Sequence, residues 1–217
     1  MTDDAARMVA EAVARLAPQT AANRLVPRIA EGTASRDTLA AFVLEQHHIV
    51  RADRFSFRHL AQRAGTGTEA AAFFAHLVQG EDIALERLAP PAAACGLDQV
   101  AVRAYEPLAG CQAYPSYVAR LALTAEPAEV VLALAANFAA WGGYCATVGR
   151  ALRLHYGFSD AACGFFDFFA DPDPDTERLT HQAVRAGLAE GRLPGTADRH
   201  GRLLQSYELM FWNTLAD

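Results

Sequence analysis

Residues 199–216, RHGRLLQSYELMFWNTLA, place apolar side chains at the spacing of one face of an α-helix. On a helix that advances about 100° per residue, that face carries Leu204, Tyr207, Glu208, Phe211 and Leu215. Glu208 therefore lies near the centre of an apolar stripe. A carboxylate there costs free energy unless it is paired or hydrogen-bonded, and burial raises its pKa. We expect either an acid/base group or a salt bridge to a buried arginine.

Helical spacing recurs along the rest of the chain, whereas strand signals are nearly absent. Breaks in the pattern coincide with glycine and proline, as at Gly65 and Pro90–Pro91. The sequence predicts helices at about 4–17, 21–32, 37–64, 68–89, 97–106, 114–124, 127–155, 159–169, 175–190 and 199–216. No internal repeat or long linker divides them. An all-α antiparallel bundle, one domain over residues 1–217, follows.

Composition excludes several classes of function. The net charge of -6 argues against nucleic acid as a partner, because phosphate neutralisation needs a basic surface. All 19 basic residues are arginine, which excludes Schiff-base and P-loop lysine chemistry. None of the four cysteines has CxxC spacing, so neither a zinc knuckle nor a thioredoxin motif fits.

Localisation is predicted to be cytoplasmic. Residues 1–15 carry early acids and no apolar stretch typical of a signal peptide. Residues 130–148 are long and apolar enough to span a bilayer, but they are rich in Ala and Gly and lack flanking positive charge. We expect a central helix that is surrounded by other helices and apolar all round, not a membrane segment.

Two further helices carry polar residues on apolar faces. In the third helix, Gln46 lies within the apolar stripe and His47 on its flank. In the helix at 127–155, Asn137, Trp141 and Cys145 share one face. His47 is either a half-buried, hydrogen-bonded histidine or a partner base. Cys145 is either a small buried hydrophobe or a nucleophile whose pKa an electropositive neighbour such as His47 lowers.

These segments together resemble the TenA/thiaminase II family of the haem-oxygenase-like superfamily. Residues 207–212 match its E-x-x-F-W ending, and residues 42–47 are similar to its F-x-x-x-Q-D. Tyr114 and Tyr117 match a Y-x-x-Y helix start, and residues 141–149 look like its C-x-W-x-Y-x-x-[IV]-G helix. The resemblance implies a TenA-like helical bundle with Glu208 as the active-site acid/base.

The resemblance also implies an aromatic pocket that binds a small-molecule substrate. The substrate-binding residues predicted on this basis are Tyr114, Tyr117, Trp141, Gln46, Asn137, Phe168, Phe169, Tyr207 and Phe211. The predicted catalytic residues are Glu208, His47 and Cys145. No metal or cofactor is expected, and relatives of this kind are usually homo-oligomers, dimers or tetramers.

Departures from the family pattern bear on the chemistry. His47 stands where the family has the Asp that grips an aminopyrimidine, and Trp141 or Ala140 stands where it has the nucleophilic Cys. Cys145, one turn away, is a candidate substitute. Di-iron oxidases of the superfamily resemble each other by H-x-x-x-D-x-x-H; here Phe169, Asp173 and Thr176 occupy those places, so a di-iron site is not expected.

Three functions are compatible with these residues. The first is a metal-free acid/base enzyme that acts on a small flat nitrogen heterocycle, by C–N hydrolysis or by a rearrangement or elimination. The second is a metal-dependent oxidase with unconventional ligands among Glu81, His76, His47 and Glu208. The third is a TenA-like ligand-binding or regulatory protein that has lost its chemistry, motivated by the loss of both the Asp and the Cys.

Overall fold

The computed structural model describes residues 2–19, 21–193 and 195–217. Within those residues it has eleven helices and no strand, so the predicted all-α fold is confirmed. The helices are α1 (Thr2–Leu16), α2 (Leu25–Ala30), α3 (Arg36–Ala64), α4 (Glu69–Glu86), α5 (Ala89–Ala94), α6 (Gln99–Ala104), α7 (Ala109–Thr124), α8 (Pro127–Tyr156), α9 (Asp160–Ala170), α10 (Pro174–Ala189) and α11 (Ala197–Ala216).

Side-chain caps begin α3 and α4, two of the helices that carry the site. Ser35 accepts a hydrogen bond from the backbone N–H of Thr38 at the start of α3, and Thr68 accepts one from Ala71 at the start of α4. Gly157, with φ +71°, ends α8 in the left-handed conformation that glycine adopts without strain. Long helices of defined length result, and their faces meet in a fixed register.

Several helix boundaries differ from the sequence-based prediction; α2, for example, begins at Leu25 rather than at residue 21. Pro90 and Pro91 do not break the chain; they occupy the first turn of α5, where a missing N–H costs no intrahelical bond. Helix α7 begins at Ala109 rather than at residue 114, and it continues through Pro115. Tyr114 therefore lies inside α7, not at its start.

Glu45 is a buried carboxylate that sequence reasoning overlooked. It is fully inaccessible to solvent on α3. Its oxygens accept hydrogen bonds from the Tyr105 hydroxyl (2.8 Å), the Leu108 backbone N–H (2.6 Å) and the Gln112 amide (2.7 Å). Because these donors come from the segment that leads into α7, Glu45 fixes α7 against α3.

The apolar core consists of two clusters. One joins α2, α5, α9 and parts of α3, α8 and α11, together with Ala84 of α4 and Cys111 of α7. The other joins α1, α10, most of α4 and α7, and the remaining parts of α3, α8 and α11. Tyr114 packs against both clusters. Helices α3, α8 and α11 contribute to both, so residues near their middles lie where the two clusters meet.

Helix α8 is buried over only part of its length, which corrects the expectation of a helix apolar all round because it is enclosed. It packs against α1, α2, α9, α10 and α11. Its first half is buried, but beyond Asn137 one side is open to solvent at Ala139, Gly143 and Ala146. By length and composition alone α8 passes the test for a membrane span, as the core helix of a soluble protein also does.

Gly110 lets α7 approach α11 closely. A Cβ atom at this position would lie 2.1 Å from the Thr214 Oγ1 and 3.1 Å from its Cβ. This contact joins the helix that carries Tyr114 to the helix that carries Glu208. The spacing of those two side chains therefore depends on a residue without a side chain.

We predict that Gly110→Ala lowers the free energy of unfolding by about 1–3 kcal/mol, because overpacking displaces one of the two helices. Chemical denaturation would measure the change. Gly164→Ala is the matched control, since its Cβ would enter open space within α9. That variant should be neutral or more stable by up to about 1 kcal/mol. Equal losses in both variants would contradict the account.

Candidate active site

A cavity that opens to solvent lies where the two core clusters meet, and its atom-free space of about 510 Å³ includes solvent at the mouth. Its polar lining residues are Gln46, Asp53, Glu81, Tyr114, Asn137 and Glu208. Its apolar lining residues are Ile49, Val50, Phe138, Trp141, Phe169 and Phe211. A largely apolar pocket with a few convergent polar groups is the usual form of a small-molecule site.

Glu208 is the most completely positioned polar group of the cavity. It is 5% exposed, on the apolar face of α11 that the sequence predicts. Asn137 of α8 donates its amide N–H to Oε2 at 2.5 Å, and the Trp212 indole donates to Oε1 at 3.3 Å. Neither partner is a cation, so the interpretation of a salt bridge to a buried arginine is wrong.

The pKa of Glu208 is raised to about 7, mainly because burial disfavours the charged carboxylate. The hydrogen bonds from Trp212 and Asn137 oppose that effect. Since the carboxyl is close to half-protonated at neutral pH, it can both donate and accept a proton there.

A short hydrogen-bonded chain connects Glu208 with Tyr114. The Tyr114 hydroxyl donates to Asn137 Oδ1 at 2.9 Å, and the amide nitrogen of the same Asn137 donates to Glu208. This arrangement fixes the orientation of the Asn137 amide, because each end has one partner of the required kind. Helices α7, α8 and α11 each supply one member of the chain.

Aromatic rings form much of the cavity wall. The Trp141 ring lies 5.8 Å from Phe169 and 6.4 Å from Phe211, centroid to centroid, both edge to face. Phe42, behind the wall, stacks on Trp141 at 6.3 Å. Such a wall offers ring faces and edges to a flat ligand.

Asp53 of α3 and Glu81 of α4 form a second acidic part of the cavity. Asp53 is 6% exposed, and Glu81 is half-buried with an inaccessible Oε2. Asp53 Oδ1 and Glu81 Oε2 have no hydrogen-bond partner. Burial raises both pKa values well above their ordinary range, and the charge of Asp53 raises that of Glu81 further.

Seven of the predicted site residues line the cavity. They are Gln46, Tyr114, Asn137, Trp141, Phe169, Glu208 and Phe211. The structure thus brings together the polar residues that stand on apolar faces of α3, α8 and α11.

His47 and Cys145 do not line the cavity. His47 is buried on the flank of α3, and burial lowers its pKa to about 4, helped by the charges of Arg51 and His48. Cys145 is fully buried, and burial and the charge of Glu208 raise its thiol pKa well above 9.0. A thiolate is disfavoured there and His47 is neutral, so the expected activation of Cys145 by His47 has no electrostatic basis.

Three predicted aromatic residues also lie outside the cavity lining. The Tyr117 hydroxyl is hydrogen-bonded to His200 at 3.1 Å, and the Tyr207 ring packs against Tyr117 at 5.2 Å. Phe168 instead lies under the guanidinium of Arg87 at 4.9 Å. The resemblance predicts Tyr117 and Phe168 in the pocket, and the apolar face of α11 predicts Tyr207 there. These predictions do not hold because neighbouring positions on one helix contact different partners.

Asp53 is the polar lining residue that sequence reasoning missed altogether. It stands seven residues after Gln46, which places both on one face of α3. Glu81 likewise stands seven residues after the buried Phe74 on α4. The sequence analysis names Glu81 only as a possible metal ligand. Its spacing from Phe74, however, already places it on the buried face of α4, as the spacing of Asp53 from Gln46 does on α3.

The metal ligands that an oxidase would need do not come together. His76 is hydrogen-bonded to Asp173 at 2.7 Å and does not line the cavity, and neither does His47. Over residues 2–19, 21–193 and 195–217, no group of three or more His, Cys, Asp or Glu side chains is arranged to hold a metal ion. The unconventional ligand set proposed from the sequence is therefore not assembled.

Comparison with known proteins identifies related chains. The model of the TENA/THI-4/PQQC family matches residues 22–168, more than half of the chain. A TenA homologue from P. horikoshii OT3 is 15% identical, with a TM-score of 0.66 over 99% of this chain and 97% of that one. No curated protein matches the sequence.

A second solved structure is a domain of unknown function with a heme oxygenase-like fold from Shewanella denitrificans OS217. It is 13% identical, with a TM-score of 0.73 over 98% of this chain and 89% of that one. The predicted haem-oxygenase-like, TenA-like bundle is thus confirmed.

We predict that Asp53→Asn and Glu81→Gln each raise the melting temperature at about pH 8 by about 2–4 °C, the shift that 1 kcal/mol gives in a chain of this size. A carboxyl whose folded-state pKa is raised destabilises the fold at pH values above its unfolded pKa. The penalty disappears as pH falls towards about 4, so the gain should shrink at pH 5. Differential scanning calorimetry measures both.

Glu86→Gln, an exposed residue on α4, is the matched control and should leave the melting temperature unchanged at both pH values. A pH-independent change in the Asp53 and Glu81 variants would argue against raised pKa values.

Proposed function

Because the chain belongs to the TENA/THI-4/PQQC family, we propose that it is an acid/base enzyme that acts on a small flat nitrogen heterocycle, with Glu208 moving the proton. Family membership indicates thiamine-related enzyme activity. The reaction proposed for this chain is hydrolysis of a C–N bond next to an aminopyrimidine-like ring, or a rearrangement or elimination that uses the same groups.

The observation that carries the proposal is the environment of Glu208. Two neutral donors, Asn137 and Trp212, hold its oxygens, and its pKa is about 7. A general acid/base is most effective when its pKa is near the working pH. Glu45 and Glu129, the other buried glutamates whose oxygens accept hydrogen bonds, lie outside the cavity.

In the hydrolysis of an aminomethylpyrimidine, protonated Glu208 donates its proton to the leaving amine nitrogen as the C–N bond breaks. A water molecule adds to the carbon, and its proton returns to Glu208 as the C–O bond forms. The amine leaves, a hydroxyl replaces it, and the carboxyl ends in its starting state. No cofactor and no thiol is needed, so His47 and Cys145 take no chemical step.

The aromatic wall supports a flat substrate. Trp141, Phe169 and Phe211 offer apolar surface on which a heterocycle can stack beside Glu208. A heterocycle bound in the cavity also shields the carboxyl from water other than the reacting molecule, and this desolvation keeps the pKa of Glu208 raised.

A specific observation favours a second candidate, a binding protein without turnover. The cavity lining contains no cysteine or serine, and by the sequence resemblance Trp141 or Ala140 stands where the family has its nucleophilic cysteine. Tight binding of a heterocycle by both the native chain and a Glu208 variant, with no product from either, would identify this function.

We propose that the enzyme acts on its small-molecule substrate in the cytoplasm. We also propose that it assembles as a homo-oligomer, a dimer or tetramer. Analytical ultracentrifugation would measure the assembly state directly.

We predict that purified protein releases hydroxymethylpyrimidine from thiamine or from 4-amino-5-aminomethyl-2-methylpyrimidine, followed by mass spectrometry. Glu208→Gln should lower kcat by about 100–10,000-fold, the usual contribution of a general acid/base. Cys145→Ala is the matched control, a buried residue on the neighbouring helix, and should retain turnover. Activity that survives in Glu208→Gln and disappears in Cys145→Ala would overturn the assignment.

The pH dependence gives an independent prediction. If Glu208 acts as the acid, kcat/KM is constant below pH 7 and falls about tenfold per pH unit above it, because only the protonated form donates. Asn137→Ala, which removes a hydrogen bond that lowers this pKa, should move the inflection to higher pH. An inflection near 4.5 in the native protein would contradict the raised pKa.

A further inference from the structure

We propose that Asp53 and Glu81 form a subsite that binds a positively charged, planar nitrogen group of the ligand, an amidinium, a guanidinium or a protonated aminoheterocycle. The subsite deepens the proposed function, on which it rests for the identity of the reacting group, Glu208. It predicts that the ligand carries a positive charge and that this charge lies beside Asp53 and Glu81.

The first argument is the contrast among the buried carboxyls. Glu45 accepts three hydrogen bonds, Glu129 accepts from the backbone N–H and the hydroxyl of Thr196, and Glu208 accepts from Asn137 and Trp212. Asp53 Oδ1 and Glu81 Oε2 alone among the described carboxyl oxygens are buried without a partner. A buried acceptor without a partner costs free energy, and a ligand that donates a hydrogen bond to it offsets that cost.

The second argument is the way α3 and α4 hold the pair. Arg54 and Asp82, the next residue along each helix, form a salt bridge with Nε to Oδ1 at 2.5 Å. This bridge fixes the register of the two helices, and Asp53 and Glu81 consequently face the cavity side by side. Because Arg54 is paired with Asp82, its charge does not neutralise Asp53 and Glu81.

The third argument is charge complementarity. Asp53, Glu81 and Glu208 all line the cavity, and its lining contains no arginine or histidine. A ligand anion would meet three acids and no cation, whereas a ligand cation would meet partners already in place. N–H groups of a charged donor form the stronger class of hydrogen bond with carboxylates.

Aromatic walls favour a flat organic cation over a metal ion. Tyr114, Phe138, Trp141 and Phe169 line the same cavity, and a delocalised cation gains energy over such rings. Two carboxylates supply only a part of the roughly six to eight oxygen ligands that Ca²⁺ takes. The described residues hold no group of three or more metal-ligating acids, thiols and imidazoles.

Tyr114 relates the position of Asp53 and Glu81 to that of Glu208. Its hydroxyl is joined to Glu208 through Asn137, and it lines the same cavity as Asp53 and Glu81, whose charges also act on it. A ligand whose cationic edge meets Asp53 and Glu81 then extends past Tyr114 towards Glu208. Its scissile bond would lie at the end opposite the charge.

The experiment compares benzamidine, a planar amidinium, with benzamide, its neutral counterpart of the same shape. Isothermal titration calorimetry at about pH 8 measures both with the full-length native chain and four variants. These are Asp53→Asn, Glu81→Gln, Glu208→Gln and the exposed control Glu86→Gln. Melting temperatures establish that each variant is folded.

We expect benzamidine to bind the native chain about 10–100-fold more tightly than benzamide, a ratio typical of charge-assisted hydrogen bonds. Asp53→Asn and Glu81→Gln should abolish that preference, whereas Glu86→Gln leaves it intact and Glu208→Gln retains most of it. Because binding needs no turnover, this result stands even if no substrate is hydrolysed.

Equal binding of benzamidine and benzamide would overturn the subsite. So would a preference that survives in folded Asp53→Asn and is lost in Glu208→Gln, which would move the cation to Glu208. Binding of Mn²⁺ that competes with benzamidine and is lost in Asp53→Asn would assign the pair to a metal instead.

Discussion

A carboxyl group held away from water at the junction of two apolar clusters is the constraint on which the rest of the site depends. Glu208 can be buried only because Asn137 and Trp212 supply donors, and Asn137 can supply one only because Tyr114 holds the other end of its amide. Three helices must therefore meet at fixed spacing. The close approach of α7 to α11 at Gly110 and the anchoring of α7 by Glu45 provide that spacing.

Buried acids in this protein serve two different ends. Each carboxylate oxygen of Glu45 and Glu129 accepts a hydrogen bond, and these bonds hold loops against helices. Both residues therefore stabilise the fold. Asp53, Glu81 and Glu208 line a cavity, and burial raises the pKa of each. Such groups destabilise a fold, and their convergence on one cavity is the pattern expected of a functional site.

Sequence periodicity predicted the helices and half of the site, for identifiable reasons. Glu208, Gln46 and Asn137 interrupt apolar stripes, and a polar residue in a stripe must face the interior. Asp53 lies on the same stripe as Gln46, between the buried Val50 and Phe57, so its position indicated an interior acid that the sequence-based prediction did not include. His47, Tyr117 and Tyr207 were misplaced because a helix face does not reveal which neighbour covers it. Helix α5 was missed because Pro90 and Pro91 read as a break, although proline suits a first turn.

The central claim is that Glu208 is a buried carboxyl that titrates near neutrality. Infrared difference spectroscopy of the native chain minus Glu208→Gln, recorded as a function of pH, isolates the C=O stretch of this one protonated carboxyl. The account predicts a band that is present at pH 5 and loses half its intensity near pH 7, where the pKa lies. A band already lost near 4.5, the ordinary value for glutamate, would show a solvated carboxylate and contradict the proposed role.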